Sequence, residues 1–278
     1  MNTEPKNDLA RADRAIPVRT PSFDFGSDIP RLWFRGNSFL TFFFNGLNLT
    51  FPEGERVFVR AVHDHKDKVT DPVLQAQIKG FSGQEGAHAR AHERLFDALR
   101  AQGYDLEPFF ARYQRYIRYV NKRIPAAQRL ASTAALEHYT STLALVMFEL
   151  DLLRGVHPEM RKLLLWHATE ELEHRAVAFD VLRATRPGYF LRAWGFLTGS
   201  IAVSYWLVAG MRLFVKQSDV SLRRLWRDSL ELDRLAGKNL LWHVVKALLA
   251  YLRPGFHPNE VGSLEERLAL LRAEGLDA

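Results

Sequence analysis

The chain has no cysteine in its 278 residues. That excludes disulfides, cysteine-based zinc fingers and cysteine-ligated iron–sulfur clusters, and it suits a reducing compartment. Any metal must take nitrogen and oxygen ligands, which favours iron, manganese or zinc. Alternating apolar–polar runs of strand type are missing too, as are repeats, low-complexity tracts and any nucleotide or flavin motif. The net charge of +6 comes from scattered basic residues, with clusters at Arg223 and Arg224 and across residues 112–123. It reads as solvated surface, and no specific nucleic-acid partner is expected. The first two dozen residues lack an apolar stretch followed by small residues, so they do not read as a signal peptide. Residues 1–25 are expected to form a disordered tail.

What the sequence does have is helical period throughout. WHATEELEHRAVAFD, at residues 166–180, carries His167, Glu171 and His174 at steps of four and three. On a helix these share one stripe, which continues in Met160, Leu164, Ala178 and Val181. A seam that should be apolar therefore holds two imidazoles and a carboxylate, and burying a bare carboxylate requires compensation. The seam opening at Asp71–Pro72 reads Leu74, Ile78, Phe81, Glu85, His88, His92, Leu95, Leu99, with Gly103 as its stop. Pro52 starts a helix with the inward residues Glu55, Phe58, Val59 and Val62. Pro125 starts another, expected to run to about residue 154 before Gly155, with Leu130, Thr133, Glu137, Ala144 and Phe148 inward. His157–Pro158 opens the helix of residues 166–180, expected to continue to Arg186–Pro187–Gly188.

Two seams each carry Glu-x-x-His (Glu85 with His88, Glu171 with His174), and two carry one glutamate (Glu55 and Glu137). In chain order this is the ligand set of ferritin-like di-metal carboxylate bundles. The i, i+3 spacing aims Glu and His at one point, and four carboxylates balance two divalent ions. His92 and His167 lie on the same seams, one turn away, and are counted as further metal ligands. Glu53, Glu170, Glu173 and His138 fall off the seams as supporting or surface groups. His63, His65, His157, His243 and His257 have no partner pattern and read as structural or solvated; Asp180 reads as a helix-end or supporting group.

The final third differs. Residues 193–211 form a run of nineteen uncharged residues between Arg192 and Arg212, long enough to span a bilayer. Basic residues at both ends and interspersed glycine, serine and threonine favour instead a buried or membrane-surface helix. Residues 240–252 are a second apolar helix, and Ser263 with Glu266 forms a capping box. The expected fold is all-α: a ferritin-like four-helix bundle with a di-metal centre over residues 26–186, and a helical extension over 187–278 packing on the bundle or a membrane surface.

FPEGERVF, QEGAHARAH, EHYTS and WHATEELEHRAVAFD together resemble the bacterial family labelled "predicted metal-dependent hydrolase", over about residues 30–254. The resemblance implies Glu55, Glu85, His88, Glu137, Glu171 and His174 as the metal set, with His92 and His167 close by. A more distant similarity, confined to the ligand pattern, is to diiron arylamine N-oxygenases, which also place a histidine four residues before the last Glu-x-x-His glutamate. The leading expectation is a non-haem diiron oxidase or oxygenase, with Glu55, Glu85, Glu137 and Glu171 as its working carboxylates. It would hydroxylate, desaturate or N-oxygenate an apolar or amine substrate, lipid-like in view of the Phe-rich residues 39–51. Two irons are expected, with manganese and zinc as alternatives, and electrons would come from a separate reductase or ferredoxin. The alternative is a di-metal hydrolase with Glu170 as general base. A cytoplasmic protein, associated with the inner membrane face and forming a homodimer, completes the expectation.

Overall fold

The computed structural model describes residues 15–26, 28–236, 240–260 and 264–277, and among these there is no strand. The helices are α1 (Ser38–Asn48), α2 (Phe51–His63), α3 (Pro72–Ala101), α4 (Glu107–Arg123), α5 (Ala126–Glu149), α6 (Pro158–His174), α7 (Val177–Ala184), α8 (Tyr189–Lys216), α9 (Leu222–Ala236), α10 (Leu240–Leu249) and α11 (Glu265–Ala273). Their starts follow local chemistry. Proline stands in the first turn of α2, α3, α4 and α6, where its missing N–H costs nothing. Asp71 caps α3 by accepting from Val73 N–H at 3.0 Å. Gly103, at φ +88°, ends the same helix in the left-handed region.

Helices α2, α3, α6 and α5 form a closed four-helix ring in which each packs on the next, α5 returning to α2. The thirty residues of α3 bring Phe81, Glu85, His88, His92 and Leu95 successively onto one buried face. Helix α8 lies outside the ring against α5 and α1. Its approach to α1 depends on two glycines, because a Cβ on Gly210 would sit 2.8 Å from the Cα of Gly46. By length and composition α8 is apolar enough to cross a membrane. One side of it is committed to the protein, with Phe196, Trp206, Leu213 and Phe214 buried.

Several expectations change. Residues 1–14 lie outside the described residues, but residues 15–25 are not a disordered tail. Phe23 is buried and its ring lies 5.5 Å from that of Trp166. Arg19, 3% exposed, donates to Glu170 at 3.0 Å and to Glu173 at 2.6 Å. The reason is that Glu170 and Glu173 face inward and require a buried cation. Helix α5 stops at Glu149, short of residue 154, because Asp151 turns the chain at φ +47°. The long helix through residues 166–180 is interrupted after His174. Restarting as α7 turns Val177, Ala178, Val181 and Leu182 into the core. Helix α10 ends at Leu249 and continues as a 3-10 turn, Ala250–Leu252. Ser263, the expected cap, lies outside the described residues.

Candidate metal centre

Each helix of the ring contributes to one buried polar cluster. Glu55 comes from α2; Glu85, His88 and His92 from α3; Glu137 from α5; His167, Glu171 and His174 from α6. All eight are buried. Their ligating atoms assemble into overlapping groups within 4.8 Å: Glu55, Glu85 and His88; Glu85, Glu137 and His174; His88, Glu171 and His174; and Glu55, His92 and His167. The first two groups share Glu85. The third places Glu171 between His88 and His174. Each of these groups could hold a metal ion.

The hydrogen bonds leave one nitrogen free on each of three histidines. His88 Nε2 lies 2.9 Å from Glu170 Oε2, His174 Nδ1 lies 3.0 Å from Glu137 Oε2, and His92 Nε2 lies 2.6 Å from His167 Nδ1. His167 Nε2 in turn meets Glu171 Oε1 at 2.8 Å. Donation from His88 Nε2, His174 Nδ1, His92 Nε2 and His167 Nε2, with His167 Nδ1 accepting from His92, assigned from the hydrogen-bond pattern, leaves lone pairs on His88 Nδ1, His174 Nε2 and His92 Nδ1. Those three atoms are buried without a partner, together with both oxygens of Glu55 and of Glu85, Glu137 Oε1 and Glu171 Oε2. So many orphaned acceptors in one dry space are costly unless a cation faces them.

The electrostatics agree. Burial, then repulsion from Glu85, Glu171 and Glu137, pushes Glu55 well above the usual carboxylate range. Burial and Glu137 do the same to Glu85, and burial and Glu171 to Glu137. Glu171 is the exception: burial raises it, but His174 and the His167 hydrogen bond outweigh that and hold it low. His88 and His92 are pushed well below the usual imidazole value by burial and then by neighbouring imidazoles. Neutral imidazoles facing carboxylates that resist ionising alone are the donor set a divalent ion completes. The residues fit divalent metal ions.

Glu170 has a different place from the one expected of a general base. It sits behind His88, between that ring and Arg19. Burial pushes its carboxyl up to about 7 against the opposing pull of Arg19. A carboxylate holding the far nitrogen of a ligating histidine fixes ring orientation and tautomer. Glu173 joins the same network through Arg19 and Gln84. His138 points away to the carbonyl of Ala247 at 3.0 Å, and Glu53 pairs with Arg56. His63 meets Ser82, His65 the carbonyl of Ala61, and Asp180 meets His257. Arg19 and Gln84 went unread in the sequence. The aromatics of PSFDF beside Arg19 were the available signal that this segment packs. Phe51, whose ring lies 4.8 Å from His92 and 4.7 Å from His167, was also missed as a wall of the site.

A cavity of about 520 Å³ adjoins the cluster. Glu55, His167 and Glu171 form its polar end, and the remaining wall is mostly aliphatic and aromatic, from α1, α2, α4, α5, α6, α8 and α10. A family model described as "predicted metal-dependent hydrolase" matches residues 17–262. No curated protein and no solved structure matches the chain.

Proposed function

The chain belongs to the family of predicted metal-dependent hydrolases, and from that membership we propose a two-metal hydrolase that cleaves an ester or amide held in the cavity. The observation that carries the reading is the set of unpartnered buried Glu and His atoms opening on a substrate-sized space. Glu55, Glu85 and His88 would hold one ion, Glu85, Glu137 and His174 the other, with Glu171 between them. When bound, such ions supply Lewis-acid polarisation of a carbonyl and a lowered pKa for water.

The chain's own groups do the rest. Glu170 and Arg19 lock His88 from behind. Phe51 and Trp166 flank the imidazoles and keep bulk water out. In hydrolysis a water oxygen bonds to the acyl carbon, the C–O or C–N bond breaks, and the proton lost by water must reach the leaving group. His167, on the cavity wall, is hydrogen-bonded to His92, and the free Nδ1 of His92 is the atom of this pair that would hold that proton in transit.

The oxidase reading rested on the ligand pattern alone, and the family description favours the hydrolase alternative. The deciding experiment is metal analysis of protein purified without chelators, joined to ester and amide hydrolysis assays and an oxygen-consumption assay of the ferrous-loaded form. About two divalent ions per chain, with hydrolysis abolished by chelator and restored by zinc or manganese, is the expected outcome. Oxygen consumption without hydrolysis would overturn it in favour of the oxidase.

A further inference from the structure

Helix α8 has a second face that no part of the described structure covers. Phe190, Trp194, Leu197, Ile201, Tyr205 and Val208 recur at steps of three and four and are all exposed, Ile201 at 62%. At 1.5 Å per residue this stripe runs roughly 27 Å. Scattered exposed apolar residues need no explanation, but a continuous stripe of this length does. Helix α8 contains no acidic residue, and Arg212 and Lys216 are exposed at its end. Helix α4, which packs beside it, exposes Arg115, Arg118, Lys122 and Arg123 around Tyr119.

The cavity lies under this face. Trp194, 55% exposed, and Tyr119, 56% exposed, both line it. Thr198 and Ala202 of α8 and Val244 and Leu248 of α10 carry the lining inward. The apolar surface and the apolar interior are therefore continuous, and the interior ends at Glu55, His167 and Glu171.

We propose that the outer face of α8 rests on an anionic lipid surface, and that the cavity beneath it takes up the apolar chain of a lipid from that surface. The hydrolysable group would then lie at the Glu55–His167–Glu171 end; only this last clause rests on the hydrolase reading. Charge selects the occupant. Cations flanking apolar and aromatic residues match negatively charged headgroups. A second copy docked on the same face would bring like charges together. Crossing the bilayer is disfavoured because α8 is tied to α1, Gly210 against Gly46, and to the ring, Gly195 against Ala131 of α5; contact is through its outer face.

The test uses the full-length, metal-loaded protein. Flotation is measured with vesicles of phosphatidylcholine alone and of phosphatidylcholine with phosphatidylglycerol. Chain binding is measured separately by the fluorescence of cis-parinaric acid. Wild type should float with the anionic vesicles, more weakly with neutral ones, and bind the fatty acid. Leu197→Glu combined with Ile201→Glu should lower flotation about tenfold or more while keeping helicity, metal content and fatty-acid binding. Ala202→Trp should lose fatty-acid binding and keep flotation. The proposal fails if wild type does not float with anionic vesicles, or if the double variant floats equally well. It also fails if wild type is a dimer that the double variant dissociates, or if the fatty acid does not bind. Failure of the hydrolase reading alone would look different: flotation and chain binding would stand, with no turnover of long-chain esters.

Discussion

His88 shows how much one side chain depends on what stands behind it. Its Nδ1 faces Glu85 and Glu171, both at 3.9 Å, while its Nε2 is committed to Glu170. Glu170→Ala should therefore weaken metal affinity by about 10- to 100-fold without removing a ligand, measured by metal titration calorimetry. Wild-type affinity in that variant would mean that Glu170 does not position the ring. Glu137→Ala and Glu171→Ala each remove a proposed ligand outright, and each should lower metal content and activity together; undiminished metal content in both variants would refute the ligand assignment. The Glu-x-x-His spacing and the lone seam glutamates were legible because helical period is local. Arg19 was not, because its partners Glu170 and Glu173 lie about 150 residues away in sequence and only packing brings them together.

At the scale of the helices, the crossing of α1 and α8 at Gly46 and Gly210 leaves no room for a methyl group. Gly210→Ala should destabilise by about 1–3 kcal/mol, because neither backbone can yield without moving its helix. Gly188 has open space where a Cβ would be, and its φ of −68° suits any residue. Gly188 is the N-cap of α8, where glycine is preferred to alanine, so Gly188→Ala should cost at most about 1 kcal/mol, the smaller loss of the two. Denaturant unfolding of the two variants compares them directly. The helix starts followed from proline and Asp71. The stop of α5 and the break after His174 did not, because a left-handed Asp151 and the new inward register of α7 answer to tertiary contacts.

For the whole molecule, the cluster makes metal-free stability depend on pH. Glu55, Glu85, Glu137 and Glu170 have raised folded pKa values, so their contribution is full below the ordinary carboxylate range and is lost as pH rises through the raised values. His88 and His92 are lowered and act in the opposite sense, contributing above their ordinary value of about 6.5 and less as pH falls. Four groups against two leave the metal-free protein losing stability as pH rises above about 5. The loss should steepen above about 6.5, where the imidazoles no longer compensate. Bound metal needs the ionised carboxylates, so the gain in Tm on adding metal should grow from mildly acidic to mildly basic pH. Scanning calorimetry with and without metal checks both; a metal-induced shift that shrinks with pH would contradict the assignment.

The sequence by itself determined the all-helical class, the eight Glu and His positions and the apolar character of α8. All three are written in periodicity and residue type, which depend on neighbours within a turn or two. Only the tertiary structure decided that residues 15–25 pack, that Glu170 stands behind His88 rather than at the cavity, and that one face of α8 is buried while the other is open. Each of those depends on groups far apart in the chain meeting in a dry interior, where an unpaired charge or a misplaced methyl costs more than any local preference can supply.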